Sequence, residues 1–450
     1  MRVVFMSVES EVECLAFGYL GAYLKAAGHE VMLCRTNDDD TIVQLCENRP
    51  DVLCYSVTTG WHKYYRDMHY TLNTFFDRDT IGVFGGPHPT FFPEYVSSLH
   101  NGVIVRGEGY EVLVDIINSL EHDGVVDMAI PNVNNNPLRP LMDKSTLLPP
   151  DRNLMYTYPD NYNNPIKSIM ASFGCVFSCP YCYNSNYRDL YKGYTQQLRP
   201  IETVANELDE LRAYPLELVY FQDDIFPVFS SKWLSDFCQM YSTVRVPFHV
   251  QLRAEFITDE VISQLTKVGL HSVTFAVESG DEKFRADVLR RRQDNNIIQN
   301  AANILHKYRL RFRIENMLGA PGESLRQALT TVDLNAACQP TYGWASVFQP
   351  YPGTKLGNRA ISDGLFDGNV DAISETFSST YLLNTTNARA IINLQRLFSL
   401  AVRFRAIRWL LPLLINLPLT NLYTKFGLWF KRFCYKSKLY HVSRRTLCTT

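Results

Sequence analysis

Twice along this chain, short apolar runs rich in β-branched residues alternate with stretches of helical period, and this rhythm excludes most folds at once. The first series comprises RVVFMSV (2–8), HEVMLCR (29–35), DVLCYSV (51–57), TIGVFGG (80–86) and NGVIVRG (101–107). Between and after these runs lie ECLAFGYLGAYLKAAG, TIVQLCENR, HKYYRDMHYTLNTFF, FPEYVSSL and YEVLVDIINSL. Strands joined through helices form a parallel sheet covered on both faces. Right-handed crossovers make it doubly wound, with ligands beyond the carboxyl ends of the strands. In the first helix Ala16, Leu20, Tyr23, Leu24 and Ala27 are predicted to share one face, and Gly28 is placed to end the helix.

Residues 123–165 break the rhythm with Pro, Asn and Asp and read as an ordered linker. The alternation resumes over 166–355 with IKSIMAS, LELVYFQ, FHVQLRA, SVTFAVE, RFRIENML and WASVFQP as strands. Six strand–helix units are too few for a closed eight-stranded barrel and suit a partial one, with its chemistry at the strand carboxyl ends. Residues 356–450 are helical and basic. The expected fold class is therefore α/β: a doubly wound, flavodoxin-like sheet over 1–122, the linker, a partial (β/α)6 barrel over 166–355, and a helical basic tail.

Charge separates the tail from the rest. Residues 376–450 hold twelve Lys or Arg and no Asp or Glu, which leaves the first 375 residues at −14. Such a tail is expected to meet something anionic, while the acidic body argues against nucleic acid as a partner. The longest uncharged run of the tail, Trp409–Thr424, is 16 residues long and contains Pro412 and Pro418. A spanning helix needs about 20 apolar residues, so the expectation is peripheral membrane contact or a cover for the barrel. The N-terminus reads as a strand, with no apolar stretch of signal-peptide length. Eight of the eleven cysteines are scattered, which does not suit a disulfide framework and implies a reducing cytoplasm, with the inner membrane face open to the tail.

The other three cysteines stand together in FGCVFSCPYCYN (173–184), directly after the first strand of the second series. Cys175, Cys179 and Cys182 can hold three irons of a cubane cluster and leave the fourth open to a substrate. A structural zinc site would want a fourth Cys or His, which the loop and its immediate neighbours lack. Buried structural cysteines are the other alternative.

The C-x3-C-x2-C loop with an aromatic residue before its third cysteine resembles that of the radical S-adenosylmethionine (SAM) enzymes. The resemblance implies a [4Fe-4S] cluster on Cys175, Cys179 and Cys182, SAM on the open iron, and Tyr181 near the adenine. FQDDIF (221–226) follows the second strand, where the family places residues facing the SAM amino group. Asp223 or Asp224 would accept from that ammonium, although the Gly-Gly-Glu form common in the family is absent; a helix-capping turn is the alternative. Glu278, in AVESG, would contact ribose or SAM, and Arg253, in QLRAEF, the SAM carboxylate; each has a structural ion pair as its alternative. LGAPGES (318–324) and QPYPGT (349–354) resemble the fifth and sixth strand ends, with Gly319 and Gly322 permitting approach to adenine.

A doubly wound sheet before such a barrel resembles the cobalamin-binding, methyltransferase-like subgroup. The matching segments are YSVTTG (55–60), GGPHPT (85–90) and RGEGYE (106–111). The resemblance implies that Ser56 and Thr58 hydrogen-bond the nucleotide tail of cobalamin and that Gly85 and Gly86 leave room for it. His88, Thr90 and Glu108 are placed near the corrin or the domain interface. The D-x-H-x-x-G signature is missing: SVESEVECLAFG holds no histidine, and Asp67-Met68-His69 falls within a predicted helix with Leu72 in place of the glycine.

The implied activity is reductive cleavage of SAM to a 5′-deoxyadenosyl radical, used for cobalamin-dependent methylation of an unactivated carbon. The implied partners are a small-molecule or lipid-like substrate and an electron donor such as flavodoxin or ferredoxin. A radical cyclase or oxidoreductase without methyl transfer is the alternative enzyme, and a cobalamin-binding sensor the alternative of another class.

Overall fold

The computed structural model describes residues 1–8, 13–36, 40–76, 80–376, 380–434 and 440. Residues 9–12 of the first loop lie outside the described residues, as do the tail residues Lys436, Lys438, Arg444, Arg445 and Cys448. The chain divides into two compact units, Met1–Asn164 and Pro165–Thr450.

The first unit is built on β1 (Arg2–Ser7), β2 (Glu30–Arg35), β3 (Val52–Ser56), β4 (Ile81–Gly85) and β5 (Gly102–Ile104), in the order β2-β1-β3-β4-β5. All neighbours are parallel. Residue alternation makes two cores. Val3, Phe5, Val52, Cys54 and Val83 pack on one face against Phe17, Leu24, Val112 and Ile116. Val4, Met6, Leu53, Tyr55 and Phe84 pack on the other against Leu45, Tyr65 and Leu72. This two-sided burial is the α/β doubly wound sheet expected from the sequence.

The helix Leu15–Ala26 corrects one expectation. Its core face holds Leu15, Phe17, Gly18, Gly21 and Leu24, whereas Ala16 and Ala27 are exposed and Leu20 and Tyr23 only half-buried. Gly18 and Gly21 are the reason. A Cβ on Gly18 would lie 2.5 Å from Met155 Sδ, and one on Gly21 2.5 Å from Leu154 Cδ2. The helix Arg152–Met155 therefore seats on a glycine face that hydrophobic periodicity alone does not see. The segment after residue 123 folds back along this unit. Lys25 pairs with Asp151, buried Arg152 with Glu13, and Val105 bridges Val133.

In the second unit β6 (Ile166–Ile169) is followed by a two-residue antiparallel pair, β7 (Ser172–Phe173) with β8 (Gln197–Leu198). Then come β9 (Leu218–Phe221), β10 (Phe248–Leu252), β11 (Leu270–Glu278), β12 (Arg311–Leu318) and β13 (Tyr342–Val347). The main sheet runs β13-β12-β11-β10-β9-β6, parallel throughout and open at both edges. It is the six-stranded partial barrel expected from the sequence. Its apolar core contains Val219, Phe221, Val250, Val273 and Phe275 beneath helices contributing Leu208, Phe237, Ile262 and Ile298. Edge strand β13 is covered rather than bare. Gln395 and Ser399, one turn apart on the helix Ala388–Arg403, donate to the Ala345 and Gly343 carbonyls at 2.9 and 2.6 Å.

Candidate functional site

The cysteine loop is rooted by a buried polar network. Asp223 Oδ2 accepts from the Ala171 N–H at 3.1 Å and its Oδ1 from the Ser172 hydroxyl. Gln196 donates both to Ser172 Oγ and to the Ile225 carbonyl, at 2.6 Å each. Gly174 then turns the chain at φ +82, where a Cβ would stand 2.9 Å from the Thr195 carbonyl oxygen. That conformation and that gap admit only glycine.

Each of the three sulfurs accepts a hydrogen bond. The Phe177 N–H reaches Cys175 Sγ at 3.5 Å, the Arg253 guanidinium reaches Cys179 Sγ at 3.8 Å, and the Asn184 amide reaches Cys182 Sγ at 3.8 Å. The donors come from the loop, from the residue after β10, and from the helix Tyr183–Leu190. Burial pushes the Cys175 thiol up and the Cys182 thiol to about 12, with Asp224 adding to both. As free thiols they are neutral at pH 7; cationic iron would stabilise them as thiolates, and the N–H donors suit sulfur held in that state. Among the described residues no three His, Cys, Asp or Glu side chains converge on one ion-sized point. The loop is identified instead by its donor on every sulfur, which fits a cluster cradle. No described cysteine is in a disulfide.

The residues singled out beside the loop divide by what they touch. The Arg253 guanidinium lies over the Phe177 ring, 3.7 Å from its centre, and pairs with Glu255 at 2.7 Å while it donates to Cys179. Glu278 sits where the β11–β12 register shifts and holds φ +69, a left-handed conformation that costs an ordinary residue about 1–2 kcal/mol. Its Oε1 accepts from the Tyr181 hydroxyl at 3.0 Å. Burial raises the Glu278 carboxyl and Arg291 opposes that rise. Arg291 also donates to Tyr181 Oη at 3.4 Å and to the Ala276 carbonyl, so Tyr181, Glu278 and Arg291 form one cluster. Sequence reasoning missed Arg291, because the run RRRQD around it reads as a solvated face.

Of the two aspartates in FQDDIF, Asp223 is buried and both its oxygens are taken by the root network. Asp224 instead accepts from the Tyr183 hydroxyl at 3.0 Å, one residue beyond the third cysteine. Gly319 has φ +78; its carbonyl accepts from the Tyr381 hydroxyl at 3.0 Å and its N–H donates to Glu323 at 2.6 Å. A Cβ there would lie 2.5 Å from the Tyr381 ring, so local packing alone requires this glycine.

The root network makes a testable statement about pH. Burial raises the Asp223 carboxyl to about 7, against the pull of Ser172 and Ala171. A folded value above the unfolded one means that the fold holds the proton more tightly. The associated stability is complete below about pH 4 and is lost as pH rises through about 7. Asp223→Asn should abolish that decline, so the Tm of the variant relative to the parent should climb between about pH 5 and about pH 8. A Tm difference that stays constant over this range would refute the assignment.

In the first unit the loops after β3 and β4 meet. Ser56 pairs with Gly85, the Val57 N–H donates to the Gly85 carbonyl at 2.7 Å, and the His88 N–H to the Val57 carbonyl at 3.0 Å. Thr58 is exposed, and no atom lies within 4 Å of a Cβ built on Gly85. Ser56, Thr58 and Gly85 thus border an open rim at the carboxyl ends of the strands, which fits a cradle for a large ligand. Gly86, at φ +104, shapes the rim: a Cβ there would be 2.8 Å from the Val57 carbonyl oxygen. Gly86→Ala is expected to cost about 2–3 kcal/mol in urea unfolding. The buried Thr90 hydroxyl donates to the Gly86 carbonyl at 2.7 Å and accepts from the Gly107 N–H at 2.9 Å, tying two loops together.

His88 and Glu108 each have partners within the first unit. His88 is buried, stacked on His62 at 4.2 Å and within 3.1 Å of the Thr59 hydroxyl. Glu108 accepts from the Met142 N–H at 2.7 Å and from Lys144, holding the segment that folds back over this unit. His69 lies inside the helix His62–Asn73, buried between Tyr55 and Asn73, as the sequence reading of Asp67-Met68-His69 expected.

Residues 1–117 match the B12 binding domain family, and residues 169–334 match the Radical SAM superfamily. An uncharacterized methyltransferase of Pyrococcus horikoshii, PH0819, is 25% identical over 299 residues, which cover 63% of this chain and 63% of that protein. Among solved structures, the radical SAM methyltransferase TsrM from Kitasatospora setae, with tryptophan and a SAM analogue bound, aligns at TM-score 0.68 and 16% identity. That alignment covers 80% of this chain and 76% of TsrM. The cobalamin-dependent SAM radical enzyme OxsB aligns at TM-score 0.61 and 17% identity, covering 80% of this chain and 55% of OxsB. These two likenesses are of fold.

Proposed function

From the premise that the chain carries a radical SAM domain behind an N-terminal B12 binding domain, we propose that it is a cobalamin-dependent methyltransferase acting on an unactivated carbon of a small molecule. The observation that carries this reading is the loop in which Cys175, Cys179 and Cys182 each accept an N–H. Bound there, a [4Fe-4S] cluster supplies the electron that splits SAM, and cobalamin on the first unit supplies a methyl carrier.

The chain's own residues do the rest. Arg253 keeps Cys179 in a positive field and is the candidate partner of the SAM carboxylate. Asp224, the second of the two aspartates in FQDDIF, is the better candidate acceptor for the SAM ammonium, since Asp223 is spent on the loop root. Tyr181 is held by Glu278 and Arg291 in one orientation, which suits a ring that bounds a nucleoside. Ser56, Thr58 and Gly85 form the rim for the cobalamin tail. An external donor, such as a flavodoxin or a ferredoxin, delivers the electron.

The test is anaerobic reconstitution with iron, sulfide and cobalamin, followed by SAM, reductant and a panel of candidate substrates, read by mass spectrometry. A product in which one methyl group replaces a hydrogen, heavier by CH2, is the expected result. Deoxyadenosine with no methylated product would move the assignment to a radical cyclase or oxidoreductase. Turnover of neither kind with both cofactors loaded would favour a sensor.

A further inference from the structure

The last two described helices, Arg405–Leu414 and Thr420–Cys434, both pack on the helix Ala388–Arg403 and meet each other at a few side chains. The Phe404 and Phe430 rings meet at 5.8 Å, and the Tyr423 hydroxyl donates to the Leu414 carbonyl at 3.0 Å. The second helix buries Tyr423, Phe430 and Cys434. Gly427 lets it approach closely, since a Cβ there would stand 2.7 Å from the Arg396 carbonyl oxygen.

Its other face does the opposite of what a water-facing helix requires. Leu422, Phe426, Trp429 and Phe433 recur at i, i+4, i+7 and i+11 and are 46, 53, 62 and 49% exposed. On the neighbouring helix Trp409 is 81% and Leu413 63% exposed. Exposed apolar bulk of this kind marks an interaction surface. Beside it Arg405, Lys425 and Arg432 are exposed, and no Asp or Glu occurs after Glu375.

We propose that this two-helix face docks on an anionic lipid surface. Aromatic bulk with Arg405, Lys425 and Arg432 beside it matches the boundary between headgroups and acyl chains, and the acidic Asp333 at its edge lies against Arg408. A second copy of the chain would bring like charges together on the same face. No helix among the described residues is long and apolar enough to cross a membrane, so the helices lie in the plane of the surface. This goes beyond the methyltransferase reading and does not depend on it.

The test sediments the full-length protein with phosphatidylglycerol vesicles and, separately, with phosphatidylcholine vesicles. The parent should pellet with the anionic vesicles, less so at high salt, and its tryptophan emission should shift to the blue. Phe426→Ser/Trp429→Ser/Phe433→Ser and Lys425→Glu/Arg432→Glu should each weaken binding at least about tenfold. All five positions are at the surface or nearly so, and circular dichroism melts verify that the variants fold; Trp409→Ser, at the most exposed position, gives an independent reading. Three results would overturn the proposal: a parent that stays in the supernatant, variants that pellet as tightly as the parent, or a parent dimer in gel filtration that the aromatic variant converts to monomer.

Discussion

Replacing Cys175, Cys179 or Cys182 with alanine should leave a folded protein that holds no stable [4Fe-4S] cluster and cleaves SAM at least about 10³-fold more slowly. All three thiols sit on one irregular loop, and none belongs to the apolar core clusters of the second unit. Deleting a sulfur therefore costs ligation rather than packing. Residues that act as a unit are strongly non-additive, so the triple variant should be hardly worse than any single one. Iron and sulfide content, with the visible absorbance of the cluster, checks the first part, and SAM consumption under reductant checks the second. Substitution at a scattered cysteine such as Cys238 should change neither.

The second large effect is on stability. Arg199 and Glu207 form an ion pair at 2.6 Å with side chains 2% and 0% exposed. Arg199 also donates to the Met170 carbonyl at 2.7 Å, so the pair braces the chain between β6 and the cysteine loop. Breaking a buried pair from one side leaves an uncompensated charge, and Glu207→Ala should cost about 3–5 kcal/mol. Replacing both partners by apolar residues of similar size, Arg199→Met with Glu207→Leu, should restore most of that loss, because the pair's own desolvation penalty then disappears. Urea unfolding of the parent, the single and the double variant measures both statements. Because the brace ends beside the loop root, Glu207→Ala should also lower iron retention more than the double variant does.

Sequence reasoning reached furthest where one chemical rule governs. Short apolar runs alternating with stretches of helical period placed β1 to β5 and the six strands of the open barrel, because burial on both faces leaves few other arrangements. The cysteine spacing located the loop for the same reason: few chemistries use three thiols at that interval. It failed where tertiary context chose between equals. The face of the first helix was misassigned because Gly18 and Gly21 carry no hydrophobic signal although they make the closest contacts. Two adjacent aspartates look alike in sequence; only the fold commits Asp223 to Ser172 and Ala171 and leaves Asp224 beside Tyr183. Arg291 hid in a charged run that carries no sign of its contact with Tyr181.

The most direct measurement is electron paramagnetic resonance of the anaerobically reconstituted, reduced protein before and after SAM is added. Three-cysteine ligation predicts a cluster signal that shifts when SAM is added, together with loss of the signal in each of the Cys175, Cys179 and Cys182 variants. A signal that SAM leaves unchanged, or a cluster that survives removal of any one of these sulfurs, would contradict the assignment.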